Sequence, residues 1–163
     1  MSDLTAATFG YVFGNVVYVR IAAVNAYGPG SWSAISSSAG ATVASVPTQM
    51  AIPTVDLAAS TDAQVTLRWT ALTGAAAGNS AVIAYSLLWD QGDPTRAGPD
   101  TPLMDSLATT YVVTGVSGGA PYRFAVSARN IYGTGALSPV LTVVPTDAPG
   151  KTGTPNVVLT DAT

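Results

Sequence analysis

The 163 residues include no Cys, no His, nine acidic residues that are all Asp, and six basic ones, for a net charge of −3. Disulfide frameworks and Ser-His or Cys-His nucleophile pairs are thereby excluded. The weak acidity, with no basic patch, argues against nucleic acid as a partner, and charged residues make up only 9% of the chain against about 25% in typical soluble domains.

From the start, Met1-Ser-Asp-Leu-Thr5 lacks the basic region and apolar core of a signal peptide, so none is expected. Thr8 to Phe13, broken by Gly10 and Gly14, reads as the end of a strand and a corner. Val17, Val19, Ile21 and Ala23 alternate with other residues at the period of a half-buried strand. Asn25 to Gly30 supplies turn chemistry, and a further strand is expected before residue 46. The stretch from Ile21 to Val55 carries no charge, but Asn25, Pro29, Pro47 and Pro53 interrupt it. No run approaches the roughly 20 apolar residues of a membrane span.

Residues 50–146 read as one complete all-β domain. Pro53–Leu57 is the first expected strand, with Pro53 at an edge or strand start. Gln64–Thr70 follows, with Val65, Leu67 and Trp69 inward and Thr66, Arg68 and Thr70 outward. Thr73–Ala81 is expected to be a flexible loop. Ile83, Tyr85, Leu87 and Trp89 share one face of the next strand, and Asp90–Leu107 reads as a polar connection containing Pro94, Pro99 and Pro102. Thr109–Thr114 is a strand. Tyr122, Phe124, Val126 and Ala128 form the inner face of another, which turns at Asn130–Gly135 and returns through Val140, Leu141, Val143 and Val144. Residues 147–153 read as a short, semi-rigid linker with Pro149, and 154–163 as the first strand of a further domain.

The chain repeats itself. Asn25, Tyr27, Gly28 and Gly30 stand 105 positions before Asn130, Tyr132, Gly133 and Gly135. Pro53, Val55 and Leu57 stand 102 before Pro155, Val157 and Leu159. Such offsets imply a tandem unit of roughly a hundred residues, with 1–46 the closing half of one unit. Pro47 and Pro145 are 98 apart, which predicts seven extra residues near Ser36–Thr42 in the first copy. A half-unit on its own is expected to expose its apolar inner face.

The pattern Tyr122-x-Phe-x-Val-x-Ala-x-Asn-x-x-Gly-x-Gly135 resembles strand F and the F–G loop of fibronectin type III domains. Trp69 after Val65 and Leu67 resembles that family's strand B, Tyr85–Trp89 its strand C, and Thr110–Val116 its strand E. The resemblance implies an immunoglobulin-like sandwich of two antiparallel sheets, in tandem, burying Trp69 between the sheets. Val17 stands where the family's corner tyrosine would be, so that hydrogen bond is not expected in the first copy.

Candidate sites are few. Asn25, Tyr27, Asn130 and Tyr132 sit at hairpin tips, and Asn79 lies in a loop at residues 73–81; loops on a rigid sandwich commonly carry binding. The alternative is that the tyrosines pack locally over their turns, which is favoured because both copies share them. Asp90, Asp93, Asp100 and Asp105 lie in or beside one loop and have the oxygen chemistry for Ca²⁺. EF-hand spacing is absent, so a solvated acidic loop is expected and no metal is assigned. Trp32, matched by Leu137, is expected to pack. Trp89 is expected in the core rather than exposed for sugar stacking.

No catalytic constellation, cofactor site or phosphate cradle emerges. The expected function is a non-catalytic structural segment of an extracellular or cell-surface repeat protein: a spacer, adhesion or fibre-forming module. Its expected partners are proteins, through self-association or neighbouring repeats, with glycans as a further candidate. The alternative is an accessory spacer or binding module of a secreted multidomain enzyme or receptor. With neither His nor Cys, stability is expected to be nearly flat between about pH 5 and 9.

Overall fold

A computed structural model of the chain describes residues 10–36 and 40–146. Of the strand end and corner expected over Thr8–Phe13, Thr8 and Phe9 lie outside the described residues, and Gly10–Phe13 form a turn approach without strand pairing. The linker at 147–153 and the further strand at 154–163 lie outside the described residues.

Four short strands come first: β1 (Val16–Val17), β2 (Val24–Asn25), β3 (Gly28–Pro29) and β4 (Ala41–Thr42). β1 pairs with β4 and β2 with β3, both antiparallel. Next come β5 (Thr54–Val55), a 3-10 turn at Leu57–Ala59, β6 (Gln64–Arg68), β7 (Ala84–Trp89) and β8 (Thr101–Ser106). β9 (Thr110–Thr114), β10 (Tyr122–Asn130), β11 (Gly133–Thr134) and β12 (Leu141–Val143) complete the order.

β5, β6 and β9 make one antiparallel sheet. β8, β7 and β10 make the other, with β11 and β12 paired to opposite ends of β10. Alternate residues of each sheet meet in one core: Val65, Leu67, Trp69 and Val113 from one side, Tyr85, Leu87, Tyr122, Phe124, Val126 and Ala128 from the other. Trp69 packs edge-on against Tyr85, with ring centroids 6.4 Å apart. Tyr122 closes the corner, its hydroxyl accepting from Ser117 N at 2.9 Å. Its ring lies so close to Gly92 that a Cβ there would stand 2.7 Å from Cε1.

Several expectations need correction. The first strand of the domain is only Thr54–Val55, and Leu57 opens the exposed 3-10 turn. That turn covers Thr66, which is buried: Thr66 Oγ1 donates to Ala59 O and Thr66 N to Ser60 Oγ. Ile83 precedes β7 and is largely exposed, so it does not share the core face. The Asp90–Leu107 connection contains β8, an edge strand on β7. Its Pro102 sits at a register irregularity opposite Leu87/Leu88, where a missing N–H is tolerated. The 73–81 loop is held by Gly78 N to Ala75 O and Asn79 N to Gly74 O, both 2.9 Å, and is not a loose segment.

The register also resizes the insertion. Phe124 pairs with Leu141 and Tyr122 with Val143; in the first copy Ser36 N donates to Val19 O and Val17 pairs with Ala41. Ser36 and Leu141 are 105 apart, whereas Ala41 and Val143 are 102 apart. The first copy therefore carries three extra residues, between Ser36 and Ala41, rather than seven. Pro47 then corresponds to Pro149, not Pro145.

The inner face of the first copy has no second sheet over it among the described residues. Val19 and Ile21 are 60% and 74% exposed, whereas their counterparts Phe124 and Val126 are at 0%.

Candidate functional site at the loop end of the sandwich

At the end of β10 the chain must leave the sheet, and Asn130 governs how. Its Oδ1 accepts from Tyr132 N at 2.8 Å, an Asx turn that starts the hairpin into β11. Its Nδ2 points the other way and donates twice: to Ser45 O at 2.7 Å and to Ala77 O at 2.9 Å. Asn130 is buried, with three of its hydrogen-bonding positions filled. The side chain thus ties together three pieces of chain: the β10–β11 turn, the 73–81 loop and the segment entering the domain.

That entering segment, Val43–Thr48, lies across the loop end. Ser45 N donates to Gly78 O and Thr48 N to Ala76 O, both at 2.9 Å. Val43, Ala44 and Pro47 are buried there. Two glycines permit the approach: a Cβ on Gly78 would run into the Ser45 carbonyl, and one on Gly135 into the Pro47 carbonyl. Gln49 Nε2 adds a bond to Leu137 O at 2.7 Å. Tyr132, 38% exposed, stands beside this seam rather than in it.

Asn79 has a positive φ of 54°, a conformation Asn tolerates well. Its side-chain amide nitrogen lies 3.4 Å from where a Cβ on Gly14 would stand, so it also faces the turn that precedes β1. It lines an open depression of about 520 Å³ together with Thr42, Leu72, Thr73 and Val82. The two other candidates, Asn25 and Tyr27, sit together on the β2–β3 hairpin, away from that depression. Tyr27 is 100% exposed, and its N–H donates to Asn25 Oδ1 at 2.9 Å.

Of the four aspartates of the 90–105 region, Asp93, Asp100 and Asp105 keep substantial exposure, and Asp90 departs from the expected solvated loop. Asp90 is buried and accepts from Arg123 N (3.0 Å), Arg123 Nε (2.6 Å) and Gly92 N (2.9 Å). Burial pushes its carboxyl up, but the hydrogen bonds from Arg123 and Gly92 outweigh that and hold it below the usual carboxylate value. Arg123 Nη2 also donates to Arg96 O at 2.7 Å, fastening the loop to β10. The hydroxyl and N–H of Thr95 hold Asp93 low. Asp100 pairs with Arg96, and Asp105 with Arg129 at 2.7 Å. Each carboxylate has a partner within the protein, and no group of three or more metal-ligating side chains occurs among the described residues.

Trp32 is mostly exposed, with the Arg20 guanidinium 5.1 Å from its ring, and Leu137 is also partly exposed; neither packs in a core as expected. Both lie past their hairpin turns, outside the space between sheets. Trp89 stacks on Tyr122 and Phe124, with centroids 6.1 and 6.4 Å away. Sequence reasoning missed Gly78, Gly135 and Arg123; the recurrence of Gly135 as Gly30 was a signal, and a charge amid the apolar residues of β10 was another.

Comparison with known proteins decides the family. The family model described as "Fibronectin type III domain" matches residues 50–144. The chain belongs to the fibronectin type III family. Among solved structures it is similar to the sixth fibronectin type III domain of human fibronectin type III domain containing protein 3. The identity there is 22%, the TM-score 0.51, and the match covers 72% of this chain and 99% of that one. A fourth fibronectin type III domain of a human protein gives 17% identity and a TM-score of 0.56, covering 73% and 98%. Domains A168–A170 of titin give 20% identity and 0.53, covering 81% of this chain and 41% of that one. At these identities the likeness speaks for the fold. No curated protein sequence matches the chain. Among the described residues no helix is long and apolar enough to cross a membrane.

Proposed function

We propose that this chain is a non-catalytic structural segment of a fibronectin type III repeat protein, placed outside the cell or at its surface, which holds successive repeats in fixed order as a spacer, adhesion or fibre-forming module. Residues 1–46 are the closing half of one repeat and 50–146 the whole of the next, with 147–153 a linker and 154–163 the opening of another. The observation that carries this is the seam at Asn130. The loop end that a receptor-type module offers to a partner is here occupied by the chain's own entering segment, through Asn130, Gly78 and Gly135. A joint built this way sets the angle between repeats, which is what a spacer or fibre needs. Proteins, as neighbouring repeats or other copies, are the partners that fit; glycans on the Thr- and Ser-rich faces are a further candidate.

The test is amide exchange and limited proteolysis across residues 43–49. Ser45 and Thr48 amides should exchange about as slowly as those of β10, and the segment should resist cleavage. Exchange at the rate of a free peptide would overturn the reading. A second reading, a binding module of a receptor or secreted enzyme, draws on the depression beside Asn79. Loss of a candidate partner's binding on Asn79→Ala, with the seam intact, would favour it.

A further inference from the structure

The β2–β3 hairpin reproduces the hairpin that receives the entering segment, bond for bond. Tyr27 N donates to Asn25 Oδ1 at 2.9 Å, as Tyr132 N does to Asn130 Oδ1 at 2.8 Å. Gly30 N donates to Ala23 O at 2.8 Å, as Gly135 N does to Ala128 O at 2.9 Å. Ser33 N reaches Ile21 O at 2.7 Å, as Ser138 N reaches Val126 O at 2.8 Å. Ile21 N returns to Ser33 Oγ at 3.0 Å, as Val126 N returns to Ser138 Oγ at 3.1 Å.

The two hairpins differ in what lies against them. At Gly135 the absence of a Cβ is required by the Pro47 carbonyl, and its φ is not in the left-handed region. At Gly30 the φ is likewise unremarkable, and among the described residues a Cβ would meet only Ala23 O, at an ordinary 3.5 Å. Nothing within its own hairpin requires glycine there. A notch of about 320 Å³ opens at this point, lined by Ala23, Asn25, Tyr27, Gly28 and Gly30.

We propose that this notch is a docking site of the same kind as the one at Asn130, and that it takes residues 147–150 of a second copy of this chain, joining copies head to tail. The register identifies the occupant. By the 102-residue offset that β4 and β12 establish, Ser45-Val-Pro-Thr48 corresponds to Asp147-Ala-Pro-Gly150. Pro149 falls where Pro47 does, and Pro155 where Pro53 does. The Asn130 seam grips main-chain carbonyls, at Ser45 O, so the change from Ser to Asp at the matching position leaves the gripped atom in place. Asn25 Nδ2 is the corresponding donor. The inference rests on the reading that entering segments dock on the Asn-x-Tyr-Gly-x-Gly hairpin.

Sedimentation equilibrium of the full chain, with NMR of the Asn25 side-chain amide, tests it. The full chain should associate as concentration rises, with that amide signal shifting in step. A variant ending at Thr146 should remain monomeric. Asn25→Ala should weaken association about fivefold or more, the loss of one hydrogen bond of about 1 kcal/mol. Gly30→Ala should abolish it. Both substitutions lie outside residues 50–146, so the thermal transition of that domain serves as the folding control and should not move. Equal association by the variant ending at Thr146 or by Asn25→Ala would overturn the proposal, as would a monomer at millimolar concentration. If association fails while the Ser45 and Thr48 amides stay protected, only this inference falls; if those amides exchange freely, the reading beneath it falls too.

Discussion

Replacing Asn130 with Ala should both destabilise the domain and free the segment that enters it. The side chain makes two donor bonds, to Ser45 O and Ala77 O, and accepts one from Tyr132 N. At about 1 kcal/mol net for each bond the loss is about 3 kcal/mol. Ala77 is buried, so its carbonyl would be left without a partner, which sets the cost toward the upper end of that range. Against a total stability of about 5–15 kcal/mol this is a large share. With a urea m-value of about 1–1.5 kcal/mol/M for a domain of this size, the unfolding midpoint should fall by about 2–3 M. Exchange at the Ser45 and Thr48 amides should accelerate more than exchange within β7 or β10, because the seam opens before the sandwich does. Asn130→Asp should be no better than Ala: it keeps the acceptor for Tyr132 but aims a carboxylate oxygen at two carbonyls. A midpoint shift below about 0.5 M, or unchanged exchange at Ser45 and Thr48, would refute the assignment of Asn130 as the tie.

Trp69→Ala should cost about 3–5 kcal/mol in denaturant unfolding, since it opens the centre of the core. Trp69→Phe should cost distinctly less, because the indole N–H is buried without an acceptor among the described residues, and its removal carries no hydrogen-bond penalty. Gly135→Ala should speed proteolysis within 43–49, where its Cβ meets the Pro47 carbonyl, while circular dichroism of the sandwich stays unchanged. As for pH, Asp56, Asp90 and Asp93 all have carboxyls lowered from 3.8 in the folded protein. The unfolded chain therefore takes up protons first as pH falls, so their stabilisation is present above about pH 4 and lost progressively below it. The chemical-denaturation midpoint should be level between pH 5.5 and 8.5 and fall below pH 4. Asp90→Asn should flatten that acid limb, and a midpoint that moved strongly within the neutral window would contradict this account.

The two-sheet sandwich was legible because large apolar residues recur at every second position in β6 and β10, and Val65, Leu67, Phe124 and Val126 are all buried between the sheets. β8 was hidden because an edge strand needs few apolar residues, and its Pro and Asp looked like loop chemistry. The local half of Asn130 was readable: Asn before Tyr-Gly is turn chemistry. Its other half was not, since Ser45 and Ala77 are brought to it only by the folded chain. Thr66 shows the same limit, as an outward position of a strand becomes interior when the preceding turn folds over it. The burial of Asp90 and the ion pairs of its neighbours were hidden for a related reason. Charges spaced as a cluster along the chain are separated in space by Arg96, Arg123 and Arg129, which arrive from the same loop and from β10.

That pairing of aspartate with arginine has a consequence for how the molecule meets others. Four of the five arginines carry their own counter-ion, and the fifth lies over an indole ring. Little field extends past a Debye length of about 8 Å at physiological ionic strength. Encounters with another protein are therefore unsteered, with rate constants nearer about 10⁵–10⁶ M⁻¹s⁻¹ than the electrostatic limit, and they change little between dilute buffer and brine. Whatever this chain holds, it holds by fit, and salt neither summons nor dismisses it.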